Sequence, residues 1–524
     1  MCEVNSENFE RIFPEMCDVI NRAEFIAMDT ELSGLWKSKE APFQASVFDT
    51  LPIRYEKLRK NVSAFTMMQI GLSMFVREDP SDIRYLAYTY TVYLAAPALP
   101  TLNSVFHCEA SSLYFLSAHG FDFNKWLYDG VPYLTELQAS ELERQLDFRW
   151  DGLISMTVWQ FMRSPCFAVA EWIGGAAIGD TILVEEAVIQ LGAWDSFLHF
   201  ALREMFPNVW TKATPNGQVL VWKVTEEQRR ELMKDGKNLR TICLEFQGFT
   251  RVARLVSASG KPVVGHNCLL DLMHFFDKFF RPLPEKYEDF KEQLNDLLPC
   301  IYDTKHIALS MKKDLRCYNG DAAASLSGLH AAIQRKFKGK LLCPKIRHAP
   351  GHSRYVNGGQ IHEAGYDAFL CGSVFLFLAH QLVSNDLCCR LVHTLTVQDM
   401  LRCLSPFTNC IKIPCSYLCL SGEDPPQAKP SQVIVIGQPP PSFFQLLCKI
   451  GPHMVQPQGQ HRFIVTVHSK HRIKELMAAA MPNEGLFVES YSVWRHTRLS
   501  TAVLWLSGIV CTSSLFWLIT SHFK

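Results

Sequence analysis

The 524-residue chain has no excess of charge in either direction: Lys plus Arg number 52 and Asp plus Glu number 52. A protein that attracts nucleic acid through its overall field is strongly basic, so that mode is excluded and any nucleic-acid surface must be local. No Cys-x-x-Cys pair occurs among the 18 cysteines. Structural zinc uses closely paired ligands, so Cys343, His348, His352 and Cys371 make a poor zinc set and the thiols read as reduced and cytosolic. The acidic-tinged N-terminus (Glu3, Glu7, Glu10) does not resemble a secretory leader. Acidic residues are missing altogether between Asp321 and Glu363, where Arg335, Lys336, Lys338, Lys340, Lys345, Arg347 and Arg354 make a cationic stripe. A phosphate backbone favours such a stripe, and its position just before His362 suggests a substrate lip.

Hydrophobic residues at 48% with charged residues at 20% describe a globular chain, long enough for roughly two to four domains. Three separated segments end apolar runs with acidic residues: FIAMDTE at 25–31, VVGHN at 263–267 leading to Asp271, and HEAGYD at 362–367. Alone, an Asp-x-Glu is usually a solvated strand end, and an Asp in a helix's first turn usually complements the helix dipole. Together, Asp29, Glu31, Asp271 and Asp367 supply the four carboxylates that a pair of divalent ions needs. Two such ions about 3.5–4 Å apart can clamp both oxygens of a phosphodiester displacement. Alternation along a strand places Asp29 and Glu31 on one face. His362 is the candidate base.

The expected fold class is α/β, a mixed sheet flanked by helices. Strands are expected at 20–31, Met67–Phe75, Tyr85–Tyr93, Val263–Val264 and Ile301–Lys305, and a helix from Leu269 to near Pro282. The expected domains are a nuclease first half at 1–170, an inserted small α/β unit at 171–247 and a second half at 248–390. An RRM-like region follows at 391–495, with β-α-β-α order over Gln432–Gly437, Phe443–Ile450, Arg462–His468 and His471–Ala480. Within the insert, helices are expected over Val184–Phe206 and Thr225–Lys237, around an extended piece at Gln218–Trp222. Residues 499–520 are uncharged and carry Trp505 and Trp517, with Arg495 and Arg498 before them and only Lys524 after. Roughly 20 apolar residues span a bilayer, so a transmembrane tail anchor with the bulk facing the cytosol is expected.

These residues resemble the poly(A)-specific ribonuclease family, of the ribonuclease H-like DEDD exonucleases with a histidine in the third motif. DTELSG at 29–34, FDTLPIRYEKLRK at 48–60, GFDFNKW at 120–126, GHNCLLDLMH at 265–274, YDTKH at 302–306 and HEAGYDAFLCG at 362–372 stand in family order over about residues 1–385. The resemblance implies a 3′→5′ exoribonuclease releasing 5′-phosphomonoesters. It implies two Mg2+ ions (Mn2+ can substitute) on Asp29, Glu31, Asp271 and Asp367, and His362 as general base. It also implies that Leu32, Asn267 and Lys305 face the RNA, Lys305 at a phosphate.

The departures from the family are specific. Leu32 replaces an aromatic residue at the adenine-stacking position, and the insert lacks the Arg-x-x-x-His signature, since its one histidine, His199, follows Asp195 by four. No Trp occurs between 431 and 493 for cap stacking. With the tail, this points to the family's membrane-anchored branch, which trims PIWI-interacting RNA precursors. The implied partners are single-stranded RNA 3′ ends, a membrane, a Tudor-domain adaptor, a PIWI protein and a second copy. The implied location is the endoplasmic reticulum or outer mitochondrial membrane. The rival readings are a strict poly(A) deadenylase, a DNA exonuclease and an inactive RNA-binding scaffold. All five site positions being intact disfavours the scaffold.

Overall fold

The computed structural model describes residues 3–38, 43–46, 48–79, 83–96, 104–146, 156–184, 192–214, 218–233, 239–311, 325–337, 343–386, 397–414, 416–426, 431–450, 453–467, 470–479 and 486–492. These fall into two units, one drawn from 1–45, 51–413 and 417–424, the other from 46–50, 414–416 and 425–524.

The strands of the first unit begin with β1 (Glu3–Val4), β2 (Phe25–Leu32), β3 (Met67–Arg77), β4 (Arg84–Ala95) and β5 (Val131–Pro132). Then come β6 (Thr181–Val184), β7 (Val209–Ala213), β8 (Val219–Lys223), β9 (Val263–Gly265), β10 (Ile301–Asp303) and β11 (Lys345–His348). The central sheet runs β1-β4-β3-β2-β9-β10, with β5 and β11 also paired to β4. β2 is antiparallel to β3 and parallel to β9, so the sheet is mixed, as the sequence suggested.

Side-chain alternation sorts β2 between two cores. Ile26 and Met28 join a cluster with residues of the helices Phe9–Arg22, Leu51–Val62, Thr250–Ala258 and Leu269–Phe279. Phe25 and Ala27 join a second cluster built on the helix Ala364–Asp386. A strand covered on both faces reads as one apolar run, which is how β2 stands out in the sequence. Asp29 and Glu31 continue the Phe25–Ala27 row at the strand's C-terminal end. Opposite Asp29 in the ladder is Gly71 of β3, where a Cβ would overlap the Ala364 carbonyl. Glycine there lets the start of the Ala364–Asp386 helix, and with it Asp367, come down onto the sheet.

Several expected boundaries move. The strand expected from residue 20 begins at Phe25, because residues up to Arg22 finish a helix that buries Phe9, Ile12, Met16, Val19 and Ile20 at helical spacing. The strand expected over Ile301–Lys305 stops at Asp303, which caps the helix Thr304–Ser310 by accepting the N–H groups of Lys305 and His306. Val184 ends β6, and the helix after it runs Gly192–Met205. The insert is a three-stranded antiparallel sheet, β6-β8-β7, whose apolar cluster also takes in Leu134, Ala139 and Leu142.

A two-stranded sheet, β12 (Cys410–Ile413) and β13 (Ser416–Cys419), follows. In the second unit, β14 (Ser431–Ile436), β15 (His453–Gly459), β16 (Arg462–Val467) and β17 (Phe487–Ser490) form an antiparallel sheet in the order β15-β16-β14-β17. With the helices Pro441–Ile450 and Lys470–Ala479 this is a βαββαβ unit, the split-βαβ arrangement that RRM sheets also use. The sequence reading missed two of its strands, since Pro457 interrupts β15 and β17 has only four residues. Val433, Val435, Val465 and Val467 pack on the helix side. The alternate positions, Gln432, Ile434, Ile464 and Thr466, carry no aromatic ring of the kind RRM sheets stack on RNA bases.

The expected tail anchor at 499–520 lies outside the described residues. The helix Ala364–Asn385 is long and apolar enough to cross a membrane, but most of it is buried in the second core, so it is a core helix.

Candidate active site

Three elements bring the acidic segments together. β2 supplies Asp29 and Glu31, and β9 ends at Gly265 and turns through Asn267 into the helix Leu269–Phe279, which carries Asp271 in its first turn. The helix Ala364–Asp386 carries Asp367 in its first turn, directly after His362 and Glu363. Ligand atoms of Glu31, His362 and Asp367 all lie within 4.8 Å of one another, which makes them the one such metal-competent group among the described residues. Glu31 and Asp367 are only 9% and 7% exposed. Of the four residues weighed as a zinc set, His352 is engaged by Glu15 and the Thr89 carbonyl, and Cys371 by Thr304.

The electrostatics of the group are those of crowded acids. Burial, with Asp271, Asp367 and Glu31 close by, pushes Asp29 well above the usual carboxylate range. Burial, Asp367 and Asp271 do the same to Glu31. Asp271 is pushed up to about 6 by burial, although the Thr30 hydroxyl and backbone N–H groups pull it back. Asp367 is also pushed up to about 6 by burial, against the 2.9 Å bond that the His362 N–H donates to its Oδ2. Converging acids that repel one another match the hard oxygen donors a divalent cation selects, so the residues fit such an ion.

His362 sits at φ 66°, in the left-handed region. Its ring meets Phe115 and His119 edge-on, with centroids 4.6 Å away in each case. Burial, and then the charge His119 can carry, lower its pKa. Asn267 is likewise left-handed, at φ 60°, with an exposed side chain. Its N–H and that of Lys305 both donate to Asp303 Oδ1 at 2.9 Å, so one buried carboxylate sets the spacing of these two residues. Lys305 is half-buried in the first turn of its helix, and burial, then the charge of Lys305, lowers the pKa of the His266 imidazole. Leu32 is half-buried against the first core, past a bulge in the β2–β3 ladder.

The cationic stripe is less free than its sequence suggests. Arg347 pairs with Glu78, and Arg354 bridges Glu3 and Glu363 at 2.9 and 2.6 Å. Arg354 thus braces the residue beside His362 instead of presenting a bare cation. Lys338 and Lys340 lie outside the described residues.

The sequence reading gave no role to Thr30, which donates to Asp271 Oδ1, or to Gln69, whose Oε1 accepts the Ala364 N–H at 3.0 Å. It gave none to His119 either. Each acts on a residue distant in sequence, so spacing carries no signal of it. Gly71 does sit inside an apolar strand and Asp303 at the end of one, where a glycine hints at close approach and a buried acid at capping.

The family model for CAF1 family ribonucleases matches residues 4–375, and the chain belongs to that family. It is 30% identical to the mouse protein "Poly(A)-specific ribonuclease PNLDC1" over 97% of each chain. It is 27% identical to the silkworm (Bombyx mori) "Pre-piRNA 3'-exonuclease trimmer", covering 100% of this chain and 99% of that one. A solved structure of S. pombe Pop2p in its Mg2+- and Mn2+-bound form aligns with 71% of this chain and 90% of its own, at 16% identity and a TM-score of 0.34. The resemblance drawn from the sequence motifs holds, and with it the expectation of an exoribonuclease.

Proposed function

We propose that the protein shortens single-stranded RNA from its 3′ end, using two divalent ions, Mg2+ or Mn2+, held by Asp29, Glu31, Asp271 and Asp367. The observation that carries this reading is the convergence of four mutually repelling carboxylates beside a histidine of lowered pKa. Ions bound there would polarise the scissile phosphate and stabilise the attacking and leaving oxygens. His362, kept neutral at physiological pH, accepts the proton of the attacking water at a ring nitrogen. The water oxygen bonds to phosphorus, the bond from phosphorus to O3′ breaks, and a nucleoside 5′-monophosphate leaves. O3′ departs with the bonding pair and takes a proton from solvent, so the RNA keeps a 3′ hydroxyl for the next cycle. Lys305 contacts a phosphate of the RNA by charge-assisted hydrogen bonding, and Asn267 offers its exposed amide.

The substrate class we propose is PIWI-interacting RNA precursors, processed at a membrane surface through residues 499–520. The membrane is that of the endoplasmic reticulum or the outer mitochondrion, and a Tudor-domain adaptor and a PIWI protein present the RNA. Full-length similarity to the silkworm trimmer supports this. So does Leu32: stacking a base on an aromatic ring contributes about 1–3 kcal/mol, and an aliphatic side chain forgoes it. The second reading, a strict poly(A) nuclease, is favoured by the name of the mouse relative.

Labelled RNAs ending in oligo(A), in mixed sequence, or in a 2′-O-methylated nucleotide separate these readings. The expected result is Mg2+-dependent shortening of both unmodified ends to 5′-monophosphates and resistance of the methylated end. Shortening of oligo(A) alone establishes the second reading, and normal trimming by Asp29→Ala removes the two-ion assignment.

A further inference from the structure

We propose that His119 and Gln360 form a positioning latch that holds His362 in its working orientation. The proposal rests on the exonuclease reading above and adds to it the means by which the base is fixed.

His362 needs such a device. It lies at φ 66°, a conformation that an L-residue rarely adopts unless its surroundings impose it. The segment before it, from Gly358 to Ile361, belongs to neither a helix nor a strand. One anchor is local, the His362 N–H to Asp367 Oδ2. That bond fixes the main chain of His362 and leaves the imidazole to rotate about its side-chain torsions.

The second anchor comes from a distant element, the C-terminal end of the helix Ala110–Ala118. The Gln360 side-chain amide donates to the carbonyl of His119, joining the loop to that helix end across 241 residues. The next residue, Gly120, is left-handed at φ 74°, and a Cβ on it would stand 2.8 Å from Gln360 Nε2. The chain turns away here in a way that leaves room for the amide. His119 Nδ1 lies 2.8 Å from the Phe115 carbonyl, which fixes the His119 ring one helical turn back. That ring then stands edge-on to His362, 4.6 Å away at 76°, and Phe115, 4.3 Å from the His119 ring, meets His362 on the same side at 68°. Aromatic edges at this distance are favourable contacts of fixed geometry. Rotation of the His362 ring therefore breaks its contacts with this pair of rings.

The test is a kinetic and spectroscopic comparison of His119→Ala, His119→Phe, Gln360→Ala and the Ala/Ala double variant in the full chain with Mg2+. A misplacement of about 1 Å in a catalytic group can cost on the order of 100-fold. His119→Ala and Gln360→Ala are accordingly expected to lower kcat by roughly 10- to 100-fold with KM unchanged. His119→Phe, which keeps an edge for His362 to meet, restores most of kcat. The double variant falls short of the product of the single effects, as expected for two parts of one device.

A readout independent of turnover is the NMR line width and chemical shift of the His362 ring. The ring should gain mobility in His119→Ala and Gln360→Ala, and not in His119→Phe. Loss of activity with an unmoved His362 ring, a rise in KM at constant kcat, or failure of phenylalanine to rescue each overturns the latch. If the wild-type chain shortens no RNA, the exonuclease reading fails, while the ring measurements still decide whether the latch exists.

Discussion

Thr30 lies between Asp29 and Glu31 but points to the other face of β2, where its hydroxyl donates to Asp271 Oδ1. This bond is one of the influences that hold the Asp271 pKa down against burial. Thr30→Val removes it, so Asp271 ionises only at higher pH. The expected outcome is divalent-ion affinity weaker by roughly 10- to 100-fold, the usual cost of losing a partner of a metal ligand. The acid limb of the pH–rate profile moves to higher pH, measured by titrating Mg2+ into trimming assays between pH 5.5 and 8.5. Asp271→Asn removes the ligand charge itself and is expected to cost more than about 10²-fold in kcat at neutral pH. His362→Ala, which removes the base and leaves the carboxylates, is expected to cost about 10²–10⁴-fold in single-turnover kinetics.

Among the elements, β2, β3 and the helix Ala364–Asp386 decide whether the acids meet. Gly71→Ala drives a methyl group into the Ala364 carbonyl and must displace the helix start that carries Asp367. Overpacking of this kind costs about 1–3 kcal/mol, so Tm falls and Mg2+-dependent activity is lost together. The crowded acids give the metal-free protein a characteristic pH dependence. The pKa values of Asp271 and Asp367 in the fold, about 6, exceed the ordinary carboxyl value. Their contribution to stability is therefore full below the unfolded pKa and is lost as pH rises through about 6. In EDTA, calorimetry should find this contribution vanishing between pH 4 and pH 7. The Tm gain from added Mg2+ should grow over the same range, because the ion binds the charged form.

The acidic residues were legible in the sequence because each ends a strand or opens a helix, where backbone geometry alone fixes the face. Asp29 and Glu31 follow from alternation and Asp271 from its place in a first helical turn, whereas Asp367 stood out through the HEAGYD segment at 362–367. The Gln360–His119 bond, the Thr30–Asp271 bond and the Arg354 bridge join residues 9 to 351 positions apart. No local period records such pairings. The boundary at Phe25 was misplaced for a related reason: Val19 and Ile20 are as apolar as a strand requires, and only the helical spacing back to Phe9 tells the two apart. In the second unit β15 escaped notice because its composition, HMVQPQG, carries few strand-forming residues.

At the scale of the whole molecule, the nuclease residues all come from one unit, and the proposed anchor at 499–520 falls in the range of the other. Deleting residues 499–524 is therefore expected to leave hydrolysis of RNA in solution unchanged, measured as kcat/KM on a short labelled oligonucleotide. Trimming in cells should fall, because an anchored enzyme works at the effective concentration of its surface. Equal trimming by the untethered chain in cells removes the tethering proposal.

The bridge from Glu3 through Arg354 to Glu363 spans 351 residues on one side and nine on the other. A ribosome adds residues at about 5–20 per second, and domains fold as their parts emerge. The nascent chain shows its first carboxylates early, yet the strut beside His362 and the last acid, Asp367, arrive only when some two thirds of the polypeptide has been made. A half-built chain therefore lacks His362 and Asp367 beside the very messenger that encodes it, and the site stays incomplete until the last third of the polypeptide is being made.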